Sequence, residues 1–273
     1  MPNTRELLKK YNIRLDKNKS QNYLVDNNKV EKILSNADIK DDEVILEIGA
    51  GIGTLTLSMA DKAKKVIAIE KDPVIADILN EIISKENIDN IELINDDALK
   101  VDFPHFDKVV SNLPYQISSP ITFKLLNYDF KKAILMYQLE FARRMNAKPD
   151  TKEYSRLSVA LYYRCDVKII DTLTPSCFIP QPKVDSAVIE LIPKEHVELN
   201  GYFDDCTRAL FQHRNKKARK ALVQSAHELS MDKRYLKEKL DAVDNSIFDR
   251  KVFKLTPDEI LEISSTIEEI ISR

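Results

Sequence analysis

Glycine is nearly absent from this chain of 273 residues: there are four, where an average usage of about 7% gives roughly nineteen. The three cysteines, Cys165, Cys177 and Cys206, are odd in number and widely spaced. They form neither a disulfide framework nor a CxxC pair, which excludes a stapled secreted scaffold and points to a reducing cytoplasm. Four scattered histidines without an HExxH motif leave no zinc cluster to read, so no metal is expected. No apolar run approaches the roughly 20 residues of a membrane helix. Met1–Tyr11 carries Arg5, Glu6, Lys9 and Lys10 where a signal peptide has its apolar stretch. A membrane partner and secretion are therefore excluded as readings.

What is present is a globular balance, 43% apolar and 32% charged, in a length that suits one large or two unequal domains. Net charge is only −2, but it is unevenly spread. Residues 1–20 hold six Lys or Arg against two acids, and residues 208–220 hold six (Arg208, Arg214, Lys216, Lys217, Arg219, Lys220) with none. The stretch after Pro257 holds five acids and only Arg273. Such segregation builds a basic face on a nearly neutral protein, the footprint of a nucleic-acid partner.

Three of the four glycines fall at Gly49, Gly51 and Gly53. Concentrated in five residues of a chain that otherwise avoids glycine, they mark a backbone that side chains do not permit. Before them, Val44-Ile45-Leu46-Glu47-Ile48 has the length and branching of a buried strand, and Thr54–Ala60 reads as a helix. Further strands are expected at 66–69, 91–94, 108–111 and 133–137, with a helix opened by Pro73 and running to about Ser84. Strands alternating with helices imply a doubly wound parallel sheet. Four polar clusters (Gly49–Gly53, Glu70, Asp97, Asn112–Tyr115) end strands, the edge where open α/β sheets bind ligands. Residues 175–193 carry four of the eleven prolines and punctuate the chain. Helices are then expected over Phe203–Lys220, about Met231–Val243, and after the capping box Thr256-Pro257-Asp258-Glu259. Domains of 1–195 and 196–273 follow.

The glycine spacing is GxGxG rather than the GxGxxG that cradles a dinucleotide, and Glu70 ends the second strand, where a carboxylate accepts hydrogen bonds from ribose hydroxyls. An adenosine-type cofactor is implied, with or without a pyrophosphate. Either Asp96 or Asp97 can accept from an adenine amine, but not both, because neighbouring strand residues point oppositely. Asn112-Leu113-Pro114-Tyr115 combines outward-turned carbonyls, an amide oxygen and a flat ring, which suits a planar amine.

Gln21-Asn22-Tyr23-Leu24, Glu47–Gly53, Asn112–Tyr115 and Phe178-Ile179-Pro180-Gln181-Pro182-Lys183-Val184-Asp185-Ser186 follow one another in an order that resembles the small-subunit ribosomal RNA adenine dimethyltransferase family (KsgA/RsmA type), over nearly the whole chain. The resemblance implies a Rossmann-like class I S-adenosylmethionine-dependent methyltransferase domain followed by a small all-helical RNA-binding domain. It implies a cytoplasmic, monomeric enzyme of ribosome biogenesis whose partner is small-subunit rRNA in a ribosomal subunit precursor. By the same resemblance, Asn22 and Leu24 cover the cofactor, Gly49 meets its methionine part with Gly51 in the same loop, Glu70 holds the ribose, and Asp97 takes the adenine amine. Asn112 serves both cofactor and target, the Leu113 carbonyl accepts from the target amine, and Tyr115 and Phe178 flank the target base. Arg208, Arg214, Lys216, Lys217, Arg219 and Lys220 remain the RNA-binding candidates. The family usually has Gly where Ser20 stands and Phe where Tyr23 stands.

Three other readings compete. A large-subunit rRNA adenine methyltransferase of the antibiotic-resistance type shares most motifs, but Leu113 and the long C-terminal region favour the small-subunit family. A non-catalytic assembly factor would not need the intact glycine loop and Asn112. A nicotinamide-dependent oxidoreductase has a different glycine spacing.

Overall fold

The five apolar runs become five parallel strands, and the glycine-rich turn and the other polar clusters follow them. The computed structural model describes residues 4–13, 22–195 and 198–272; Ser20, Gln21 and part of the basic segment 1–20 lie outside these. In chain order the first elements are α1 Thr4–Lys10, β1 Tyr23–Leu24, α2 Asn27–Ala37, β2 Val44–Ile48, α3 Thr56–Ala60, β3 Lys65–Ile69, α4 Pro73–Lys85, β4 Ile91–Ile94, β5 Lys108–Asn112 and α5 Ser118–Leu125. There follow β6 Lys132–Gln138, α6 Leu139–Met145, α7 Arg156–Arg164, β7 Cys165–Leu173, β8 Phe178–Ile179 and β9 Ser186–Pro193. The last are α8 Phe203–Phe211, α9 Ala218–Gln224, α10 Lys233–Asp241 and α11 Pro257–Ile271.

The sheet order is β4-β3-β2-β5-β6-β9-β7. Strands β4 to β6 are parallel, and β9 runs antiparallel to β6 from Ala133↔Leu191 to Gln138↔Ser186. This is the expected Rossmann-like arrangement. The chain leaves β2 towards β3 and returns to β2's other side as β5, so the strand order reverses between β2 and β5. That reversal is the topological switch point, where a crevice opens at the carboxyl ends. The ladder between these strands stops at Leu46↔Val109. Beyond it, the Ile48 N–H donates instead to Ser111 Oγ at 2.8 Å.

Local sequence accounts for the covering helices. Val30, Ile33, Leu34 and Ala37 recur at helical spacing and pack with Ile45, Val110 and Ile134 of the sheet. Asp26 caps this helix by accepting from Lys29 N at 3.2 Å. Asp72 and Pro73 open α4, whose Ile75, Leu79 and Ile82 join Ala68 and Ile52 in a second cluster.

The contacts divide the chain into two units, Met1–Ala142 with Val167–Pro193, and Arg143–Asp166 with Lys194–Arg273. A single boundary at residue 195 leaves Arg143–Asp166 with the sheet. Tyr154 and Val159 instead belong to the helical core with Phe203, Leu210 and Ile260, and the Tyr154 hydroxyl donates to the Leu255 carbonyl at 2.9 Å. The expected helix Phe203–Lys220 is also two helices, because the chain turns over residues 212–217 before α9 begins. Among the described residues, no helix is long and apolar enough to cross a membrane.

The capping box forms as expected: Thr256 Oγ1 accepts from Glu259 N at 3.2 Å, and Glu259 Oε2 accepts from Thr256 N at 2.8 Å. Thr256→Ala removes the first of these and leaves an N-terminal donor of α11 without its partner. It should lower unfolding stability by about 1 kcal/mol, measured by chemical denaturation; an unchanged midpoint would show that the cap does not stabilise the helical unit.

Candidate active site

A cavity of about 660 Å3 lies at the switch point, walled by β1 and by the loops that follow β2 to β5. All four polar clusters reach it. Its volume lies within the range of small-molecule sites.

The glycines act by what they lack. Gly49 and Gly51 have φ of +77° and +58°, where a side chain strains the backbone. A Cβ at Gly49 would stand 2.9 Å from Pro114 Cδ, and one at Gly51 would stand 3.0 Å from the ring of Tyr23. The turn after β2 thus touches the loop after β5 on one side and β1 on the other. Gly53 does not line the cavity. Its missing Cβ makes room for Leu79 of α4, which would lie 2.6 Å away.

Glu70 follows β3 directly and is 9% exposed. Its two oxygens accept from Gly51 N and Asp72 N, each at 2.8 Å. Burial raises its pKa against the pull of these donors. Each oxygen keeps a further acceptor site. Asp96 and Asp97 both line the cavity. Asp97 is the less exposed of the two and bonds Lys71 Nζ at 2.9 Å, which holds its carboxyl below the usual range. Asp96 Oδ1 accepts from Asp97 N at 2.6 Å.

Asn112 ends β5, and its Nδ2 donates to the Asn22 carbonyl at 2.9 Å. That bond orients the amide and leaves Oδ1 as an acceptor. Asn22, Leu24, Leu113 and Tyr115 also line the cavity. The Tyr115 hydroxyl shares a 2.6 Å hydrogen bond with Ser186 Oγ.

Phe178 is not brought to the cavity wall. It is 0% exposed and packs in the core with Val110, Met136 and Val188. The cause is its pairing: β8 runs antiparallel to β1, with Leu24↔Phe178 and Tyr23↔Ile179 in register. The segment therefore holds β1 in place over the cavity, helped by Val25 N donating to the Cys177 carbonyl at 2.9 Å.

Sequence reasoning passed over Glu47, Lys71 and Val74, which also line the cavity. For Glu47 the signal was an acid interrupting an apolar strand. Glu47 is 2% exposed, and its Oε2 accepts from Thr56 Oγ1 at 2.5 Å. Val74 stands 65% exposed at the cavity's edge.

The basic cluster in the helical unit is dispersed by the turn. Arg208 pairs with Asp205 and Glu228 at 3.3 and 3.2 Å, and Lys217 with Asp249 at 3.2 Å. The Arg214 guanidinium donates to the carbonyls of Thr151 and Lys152, and Arg219 to that of Val243. Lys216 bonds the amide of Gln224. Lys216 and Lys220 are exposed, with no acidic partner among the described residues. Arg214, Lys217 and Lys220 therefore share no helix face. The turn instead meets two distant segments: Phe253 N donates to the Arg214 carbonyl and Val252 N to the Lys216 carbonyl, both at 3.0 Å, and Asp150 N to the Phe253 carbonyl at 2.8 Å. Together they gather Lys148, Lys152, Lys216, Lys251 and Lys254 with Arg214. The Phe253 ring has Arg214, Lys251 and Lys254 about it at 5.8, 6.0 and 5.9 Å.

Burial pushes the Glu47 carboxyl up from 4.5 to about 8, with the Thr56 hydroxyl opposing and the Glu70 charge reinforcing it. The unfolded chain therefore releases this proton first as pH rises. The stability that goes with the neutral carboxyl is complete below about pH 4.5 and is lost by about pH 8. Glu47→Gln cannot ionise, so its melting temperature should fall less than the wild type's between those limits. Parallel thermal melts of the two proteins, falling together, would mean that Glu47 is ionised in the fold.

Residues 12–266 match the family described as Ribosomal RNA adenine dimethylase. A protein of Methanosphaera stadtmanae named Probable ribosomal RNA small subunit methyltransferase A is 72% identical over 268 residues, covering 98% of this chain and 99% of that one. A protein of the same name from Methanothermobacter thermautotrophicus is 52% identical, covering 98% and 96%. Among solved structures, a dimethyladenosine transferase from Plasmodium falciparum has a TM-score of 0.78 at 31% identity, covering 90% of this chain and 97% of that one. The 23S rRNA methyltransferase ErmE has a TM-score of 0.63 at 28% identity, covering 90% and 100%. Matched along nearly all of its length, the chain belongs to the ribosomal RNA adenine dimethylase family.

Proposed function

We propose that this protein transfers methyl groups from S-adenosylmethionine to N6 of adenines in small-subunit rRNA, two adjacent adenosines near the 3′ end, each dimethylated. It works in the cytoplasm, as a monomer, on a precursor of the small ribosomal subunit. One observation carries the reading: Asn112-Leu113-Pro114-Tyr115 sits at the switch point against Gly49, with the Asn112 amide turned so that Oδ1 is left to accept.

The residues present fit the cofactor. Glu70 retains acceptor capacity for ribose hydroxyls, Asp97 for an adenine amine, and at Gly49 and Gly51 the turn lines the cavity without side chains. When bound, the cofactor supplies an electrophilic methyl group on a sulfonium. The protein's part is to bring the target nitrogen to it. An adenine taken out of its stack rests on the half-buried ring of Tyr115. Asn112 Oδ1 and the Leu113 carbonyl accept the two N6 hydrogens, which draws the nitrogen lone pair out of ring conjugation. Bound there, the cofactor would supply the methyl carbon and its sulfur would keep the electron pair, while the excess proton of the alkylated nitrogen would pass to water. No strong base is needed, because the alkylated amine is acidic. Positioning and fixed dipoles supply the rate.

Two substitutions separate binding from chemistry. Glu70→Ala should weaken S-adenosylmethionine affinity by about 2 kcal/mol, roughly thirtyfold in Kd, read by calorimetry. Asn112→Ala should cut single-turnover methylation of methyl-deficient small subunits on the order of a hundredfold, read by primer extension. Wild-type affinity in the first removes Glu70 from the site, and wild-type speed in the second defeats the N6 geometry.

For RNA, the surface formed by the 148–152, 214–217 and 250–254 segments with neighbouring Lys220 is the reading that the hydrogen bonds and ion pairs support. The cations without acidic partners are the ones free to meet phosphate. Changing Lys216, Lys220 and Lys251 together to Gln should weaken subunit binding. It should also lower the slope of log affinity against log salt by about one for each phosphate that is no longer neutralised. An unaltered slope assigns these lysines to solubility alone.

A further inference from the structure

The motif that closes on Asp185-Ser186 has no part in the proposed chemistry so far. Ser186 opens β9 and is 0% exposed. Its backbone is held by the sheet: Ser186 is in register with Gln138 at the end of β6, and the preceding carbonyl, Asp185 O, accepts from Leu139 N at 2.9 Å. The side chain of this fixed residue reaches Tyr115, its Oγ lying 2.6 Å from the phenol oxygen. Tyr115 itself stands on less regular backbone, a single 3-10 turn over Tyr115–Ile117 with no side-chain cap. Burial raises the Tyr115 pKa, so the phenol keeps its proton and its capacity to donate.

A phenylalanine would fill the same space with the same flat face. What the hydroxyl adds is an anchor at the far edge of the ring. A ring attached only at Cβ is set by two torsions and by its packing; a second attachment, opposite the first, removes freedom in both torsions and fixes the tilt of the face. For a group whose task is to present a plane to a base, that tilt decides where the base's exocyclic nitrogen falls. A displacement of about an ångström at such a point costs heavily in rate.

We propose that Ser186 is a positioning residue: it anchors the Tyr115 hydroxyl and so sets the plane on which the target adenine rests. The inference depends on the proposed function, in which Tyr115 is the platform for that base. Ser186 touches neither the base nor the cofactor in this reading. Its effect passes through one hydrogen bond, and removing either end of that bond has the same consequence.

The test uses the full chain and methyl-deficient small subunits, in single and double substitutions. Ser186→Ala should lower kcat about tenfold, the rate equivalent of one neutral hydrogen bond, and leave the affinity for S-adenosylmethionine within about twofold of wild type. Tyr115→Phe should show the same loss, and the double variant Ser186→Ala/Tyr115→Phe no more than either alone, because the bond is already absent. Ser186→Thr, which keeps the hydroxyl, should restore most of the rate. Cofactor affinity and thermal melting of each variant report on folding, and Tyr115→Phe removes the bond without touching the strand should Ser186→Ala fold poorly. Full activity in Ser186→Ala beside an inactive Tyr115→Ala overturns the role of Ser186 and leaves the platform intact. Losses that multiply in the double variant overturn it too, since they show two independent effects. Full activity in Tyr115→Ala overturns the platform itself, and the inference with it.

Discussion

Everything at the site depends on the close approach of Gly49 to Pro114. Two loops leave adjacent parallel strands at the switch point, and the side-chain-free turn of one receives the pyrrolidine ring of the other, where a Cβ would stand 2.9 Å away. Any larger residue at 49 moves the Asn112–Tyr115 loop or twists the turn out of its left-handed backbone. Both partners are of types suited to the contact: glycine adopts positive φ without strain, and proline, lacking an N–H, leaves no donor stranded against the turn. The contact holds the residues that would present a base against those that would hold a cofactor, so the two halves of the proposed chemistry share one fixed reference.

The electrostatics of the cavity follow from which residues the strand ends supply. Its lining holds five carboxyl side chains (Glu47, Glu70, Asp72, Asp96, Asp97) and one ammonium, Lys71, already paired with Asp97. Burial lifts the pKa of both Glu47 and Glu70, and at Glu47 the nearby Glu70 charge adds to it. A ligand carrying net positive charge relieves this arrangement. On the proposed reading, S-adenosylmethionine brings a sulfonium and an ammonium against one carboxylate. Its demethylated product has lost the sulfonium charge, so the field that favours the reactant favours the product less.

The parallel half of the sheet was legible in the sequence because each buried strand is a short apolar run ended by a polar cluster. Gly49, Glu70, Asp97, Asn112 and Tyr115 were legible for the same reason: topology alone sends strand ends to one edge. Strands β7 and β9 were not read, since the alternation of apolar and polar residues in β7 breaks at Ile169-Ile170 and only its two ends are buried, and β9 follows a proline-rich stretch. Phe178 shows the limit of carrying a role over from a motif. Its position beside the site is real, but the pairing of β8 with β1 turns the side chain into the core, a fact of register that residue types do not encode.

The basic cluster is divided for a related reason. Charge counted along the chain treats Arg208–Lys220 as one group, yet hydrogen bonds to carbonyls use the guanidiniums of Arg214 and Arg219, and acids from elsewhere in the helical unit meet Arg208 and Lys217. The residues left to meet a phosphate are gathered instead from three segments joined by backbone bonds, with Phe253 among them. An arginine bound to two carbonyls keeps its charge while its fork is occupied, so it contributes field rather than contact. On the same surface Lys216, Lys220 and Lys251 have no acidic partner among the described residues, although Lys216 bonds the Gln224 amide and Lys254 pairs with Asp150. On the proposed reading, the tethered arginines would shape the potential that draws the RNA backbone in and the lysines without acidic partners would contact it, while the reading of the target base is left to the cavity of the sheet unit.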